Sequence, residues 1–111
     1  MDKLSKYRQL IKDILSEYAH HQPTSNHLET QAIFDEQREH YQIVMFGWEE
    51  KKYVHYCLIH IDLKSDKIWI QWNMTEQDIA EDLVKLGVPK QDIVIGFHPP
   101  ELRKLTEYSI G

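Results

Sequence analysis

Apolar residues recur at helical spacing near the start of the chain. Leu4, Tyr7, Ile11, Ile14, Leu15 and Tyr18 fall on one stripe, while Lys3, Lys6, Lys12, Asp13 and Glu17 lie largely off it. The pattern predicts an amphipathic helix over 2–19, broken within 20–26, where Pro23 discourages further helix. The period then changes. In 28–34, Leu28, Thr30, Ala32 and Phe34 alternate with Glu29, Gln31 and Ile33. Residues 41–48 are apolar on both faces, as in a central strand. In 53–61, simple alternation puts Val54, Tyr56 and Leu58 on one side and Cys57, Ile59 and Ile61 on the other. A short aromatic strand follows at 67–72. The joining segments 35–37, 49–52 and 64–66 are short and polar, which favours antiparallel hairpins in a meander.

A second helix is predicted to start at Thr75, whose hydroxyl can cap it, with Glu76 and Asp78 at the positive end of its dipole. Ile79, Ala80, Leu83 and Leu86 are expected to form its buried face. Gly87 suits the left-handed C′ position, Val88 the apolar C″ position, and Pro89 bars continuation. A fifth short strand is predicted over 92–97, then a stiff Pro99-Pro100 corner and a turn or short helix over 101–105. The chain therefore reads as one α+β domain, 1–111. Its N-terminal amphipathic helix and second helix pack on a mainly antiparallel meander sheet of about five strands.

Composition narrows the function. No apolar run approaches the ~18 residues that span a bilayer, and the N-terminus lacks the h-region of a signal peptide, so a cytoplasmic address is expected with no membrane contact. A single cysteine, Cys57, allows no internal disulfide. Net charge is −5, and the cations are dispersed. Residues 28–50 carry Glu29, Asp35, Glu36, Glu39, Glu49 and Glu50 against Arg38 alone. Such a surface suits a basic protein partner better than a phosphate backbone.

The candidate chemistry is thin. His55 and His60 are five residues apart on one predicted strand, so they point to opposite faces and cannot share an ion without a bulge. His20 and His21 sit at a helix exit, and His27, His40 and His98 lie in separate segments that are not expected to converge. No metal site and no cofactor are therefore expected. Cys57 beside His55 has the i, i+2 spacing of a nucleophile and base, but both fall in an apolar run where cysteine is usually a small hydrophobe. Asp62 and Lys64 match half of a metal-dependent nuclease signature, yet they lead straight into a polar turn. Phosphate loops, nucleophile elbows and zincin helices are absent from the sequence, so no catalytic residue is assigned.

The motifs Tyr7-Arg8-Gln9, Phe34-Asp35, His40-Tyr41-Gln42, KIWIQ (67–71), Thr75-Glu76 leading into Ile79-Ala80, and GVPKQDIVIGFHPP (87–100) together resemble one family. It is the fdxN element excision controlling factor of XisI type. The likeness runs over nearly the whole chain, with departures at Asn73-Met74 and at Thr106-Glu107-Tyr108. The resemblance implies an α+β accessory factor of the cyanobacterial type, acting in programmed excision of a DNA element during heterocyst differentiation. Its implied partners are a site-specific recombinase and a companion XisH-type protein resembling restriction-endonuclease folds. It implies no catalytic residues. A non-enzymatic regulatory protein is thus expected, also forming a homodimer. His98, Pro99, Pro100, Glu101, Arg103, Trp69 and Trp72 are its candidate partner-binding residues, and Arg103→Glu is expected to weaken binding without unfolding. The alternative is direct DNA binding through Lys3, Lys6, Arg8 and Lys12.

Overall fold

The computed structural model describes residues 2–22 and 27–111; the predicted break at Pro23 lies outside them. Helix α1 spans Lys3–His20, and the Asp2 carboxylate caps it by accepting the Ser5 N–H at 2.7 Å. Strands β1 (Leu28–Asp35), β2 (His40–Glu49), β3 (Lys52–Lys64) and β4 (Lys67–Asn73) follow as an antiparallel meander. Helix α2 (Ile79–Lys85) carries the chain back, so that β5 (Ile93–Ile95) joins β4 in parallel. A short helix α3, Pro100–Arg103, comes last, and the sheet order is β1-β2-β3-β4-β5. This is the α+β fold predicted from the periodicity.

The two helices cover one face of the sheet. Tyr7, Ile11 and Leu15 of α1 and Ile79 and Leu83 of α2 meet Tyr41, Ile43, Ile59, Ile61, Ile68, Ile70, Ile93 and Ile95 in one core. The prevalence of isoleucine fits a pleated surface buried from above. The opposite face stays largely open: Ile33, Trp48, Tyr53 and Trp72 are each about half exposed.

Helix α2 begins one turn later than predicted, and Leu86, expected on its buried face, is its C-cap and half exposed, while Ile79, Ala80 and Leu83 are buried. Asp78, not Thr75, caps it by accepting the Glu81 N–H at 3.1 Å. The Thr75 hydroxyl instead accepts the Gln77 N–H and donates to Asn73 Oδ1, a local turn that competes with helix. The C-terminal stop is as predicted: Gly87 (φ 99°) donates to the Val84 carbonyl and Val88 to that of Leu83, the Schellman pattern.

A second difference matters more. The β2–β3 pairing slips by one between Ile43 and Val44, leaving Leu58 as an extra residue in β3. Beyond it the side chains exchange faces. Cys57 therefore does not share a side with Ile59 and Ile61, and His55 and His60 do not point to opposite faces; His55, Cys57 and His60 all lie on the open face.

Polar ties fix α1 to the β1–β2 turn and to the residue before β5. Lys3 lies 3.1 Å from Asp92, Lys12 Nζ 2.8 Å from Glu36, and Arg8 Nε donates to Glu39 at 3.0 Å. Glu39 also accepts from the Tyr41 hydroxyl, and Asp92 from that of Tyr7. Burial acts to raise the Asp92 carboxyl, but the Tyr7 and Lys3 hydrogen bonds and the nearby lysine charges outweigh it and hold it below its ordinary value. Its contribution to stability is thus full above the unfolded value and lost as pH falls through the folded one, below about pH 4. Tyr7→Phe is expected to cost about 1–2 kcal/mol near neutrality and less in acid, read by urea melts at both pH values. Gly47 (φ 138°) passes β1 so closely that a Cβ would stand 1.9 Å from the His27 carbonyl oxygen. Gly47→Ala is expected to cost about 2–4 kcal/mol in the same assay.

Candidate functional site

The open face has a polar centre that strand register builds. His40 in β2 stands directly opposite Asp62 in β3, and Gln42 stands opposite His60. His60 and Asp62 are two apart on one strand, so both project from this face. His40 Nδ1 and His60 Nε2 each lie 2.8 Å from Asp62 Oδ1. A further slip, between β3 and β4 at His60/Ile61, leaves Gln71 as the unpaired residue of β4. Its amide Nε2 donates to Asp62 Oδ2 at 3.2 Å. Bulges re-aim side chains in this way.

Asp62 is only 9% exposed, whereas the His40 side chain is half exposed. Burial alone would raise the Asp62 carboxyl. The hydrogen bonds from His40 and His60, the His60 charge and the Gln71 amide overcome it and hold the carboxyl below its ordinary value. A pocket of about 260 Å³, lined by Ile33, Asp35, His40, Gln42 and His60, opens beside the cluster.

This convergence corrects the expectation that His40 stays apart from the other histidines. Counting back from the turn at Glu50 and Lys51 would place His40 opposite Ile61; the extra residue Leu58 moves it opposite Asp62. The signal was the bulge, and no residue in 53–61 announces one.

Aromatic residues flank the centre. Trp69 lies between two cations, with Lys64 Nζ 4.2 Å and the Arg103 guanidinium 5.5 Å from its ring. Trp72 meets Phe97 edge-on at 6.5 Å, and Phe97 meets His98 at 4.9 Å. At the other end, His55 stacks on Phe46 and Trp48 meets Tyr53.

The predicted partner residues divide into two groups. Trp72, Pro99, Pro100 and Glu101 are exposed. Arg103, Trp69 and His98 are partly buried and engaged with their own chain. Arg103 donates to the carbonyls of His98 (2.9 Å), Gly96 (3.2 Å) and Ile110 (3.2 Å), closing the C-terminal corner over Trp69.

The weaker candidates do not assemble into sites. The Cys57 thiol is pushed up by burial, against a smaller opposing effect of its bond to the Ile59 carbonyl, the reverse of an activated nucleophile. Asp62 turns to the histidines while Lys64 lies on Trp69. Of the α1 cations proposed for DNA, Lys3, Arg8 and Lys12 are each ion-paired within the chain.

Arg103 thus serves the fold, and Arg103→Ala is expected to cost about 1–2 kcal/mol through lost hydrogen bonds and ring contact. Faster amide exchange at Ser109–Gly111 would mark the loosened corner; unchanged exchange and melting would show that the contacts carry little.

No helix of the described residues is long and apolar enough to cross a membrane. No curated protein matches the chain. Two crystal structures are close to it over essentially their full lengths. One, of a XisI-like protein from Anabaena variabilis, is 41% identical with a TM-score of 0.93, covering 97% of this chain and 99% of that one. The other is the fdxN element excision controlling factor XisI of Anabaena variabilis, 34% identical with a TM-score of 0.88, covering 99% and 100%. The XisI protein family itself matches residues 1–110, and the chain belongs to that family.

Proposed function

We propose that this chain is a non-enzymatic accessory factor that controls excision of a DNA element by contact with a companion protein of XisH type or with the recombinase. The family supports the setting, since a relative of the same length carries the name of an excision controlling factor. The observation that carries the contact is the uncovered aromatic face: Trp48 is 55% exposed, Tyr53 52%, Trp72 48% and Phe97 41%. Exposed aromatics, here in two pairs at the two ends of the face, mark interaction surfaces, because they bury large area at low entropic cost. The stiff Pro99-Pro100 corner adjoins Trp72 through Phe97 and His98. A net charge of −5, with most α1 cations internally paired, suits a partner with a basic surface.

Without its companion, the same face pairs two copies of the chain, giving a homodimer. Co-expression with a companion protein of XisH type is expected to yield a complex stable through gel filtration. Trp72→Ser is expected to weaken it at least about tenfold with unchanged circular dichroism. The chain alone should scatter light as a dimer, and the Trp72→Ser variant as a monomer. Failure of the wild-type chain to associate with either partner at micromolar concentration would overturn the reading.

A further inference from the structure

We propose that His40, His60 and Asp62 form a binding site for one divalent transition-metal ion of the zinc class. This goes beyond the role in excision and does not depend on it. His40 Nδ1, His60 Nε2 and one carboxylate oxygen of Asp62 all lie within 4.8 Å of one another, the one such grouping among the described residues. Two imidazoles and a carboxylate are a donor set that zinc and its neighbours favour over magnesium or calcium.

The distances suit an ion after small shifts. Zinc bonds of about 2.0–2.2 Å set tetrahedral donors about 3.3–3.6 Å apart. Both imidazole nitrogens now lie 2.8 Å from Asp62 Oδ1. Rotation about the histidine side chains, with each neutral ring carrying its proton on the nitrogen that faces away from the carboxylate, opens that gap. The backbone already supplies the rest: His60 and Asp62 are fixed at i, i+2 on one strand, and His40 at the position opposite Asp62.

The surroundings are those of a supported and accessible site. The Gln71 amide holds Oδ2, which aims Oδ1 at the two rings. Partners of this kind orient ligands and raise affinity. Gly96 in turn leaves room for Gln71: a Cβ there would stand 2.4 Å from the Gln71 Oε1 atom. The side chains of His40 and His60 are 52% and 30% exposed, so the ion enters from solvent and keeps water in its remaining position.

The test is calorimetric titration of zinc chloride into untagged, chelator-stripped protein. One ion per chain should bind with a dissociation constant in the micromolar range or tighter. His40→Ala and His60→Ala should each abolish saturable binding, while His21→Ala and His55→Ala leave it unchanged. Gln71→Ala, and Gly96→Ala by displacing Gln71, should weaken it about tenfold to a hundredfold. Cobalt should give visible bands of a low-coordinate site that vanish in His60→Ala. His40 is half exposed, so His40→Gln provides a folded variant should alanine disturb the sheet. Absence of saturable binding to the wild type, or wild-type affinity in the folded His40 and His60 variants, would overturn the proposal.

Discussion

The pairing of β2 with β3, with its one extra residue at Leu58, is the constraint on which the two faces of the sheet depend. Strand side chains alternate with a period of two, so a single inserted residue exchanges inside and outside for everything beyond it. On the far side of the bulge, Ile59, Ile61 and Leu63 turn toward the helices and complete the core. The same shift sends His60 and Asp62 to the open face. A β3 without it would have to bury His60 and Asp62 under α1 or expose three large aliphatic side chains. Hydrophobic burial therefore selects the bulge, and the polar cluster follows from the same selection.

This explains what was legible in the chain. The stripe from Leu4 to Tyr18 announced α1, and Gly87-Val88-Pro89 announced the stop of α2 down to its hydrogen bonds. Both signals are local, since helix period and glycine's left-handed φ need no partner to be read. Thr75 and Asp78 both carry capping groups, and α2 starts at Asp78 because Asn73 engages the Thr75 hydroxyl in a turn. The cluster at Asp62 was not legible for a different reason. It joins residues 22 apart through a register that depends on an irregularity, and the irregularity is chosen by packing against α1.

The segment 87–103 supports the site through Gln71. Gly96 donates its N–H to the Ile70 carbonyl at 2.7 Å and leaves space for Gln71. Arg103 gathers the carbonyls of Gly96, His98 and Ile110 and covers one side of Trp69. The segment therefore holds the end of β4 in the form that lets Gln71 reach Asp62. Among its exposed residues, Phe97 meets Trp72, and Pro99, Pro100 and Glu101 follow it along the chain.

The composition of the open face also bears on its use. A buried carboxylate with three donors contributes little net stability, because the interactions it gains offset its desolvation and seldom exceed it. Well-packed apolar residues at 40, 60 and 62 would support the sheet about as well. Half-exposed aromatics likewise leave hydrophobic surface uncovered that polar side chains could replace without harm to the core. Neither feature is required by the fold, whose core is closed on the other face by α1 and α2. The two lie side by side, with Trp72 opposite His60 across the β3–β4 pairing. An ion held by His40, His60 and Asp62 would fix the His60 ring next to Trp72, and with it the shape of the surface offered to a partner.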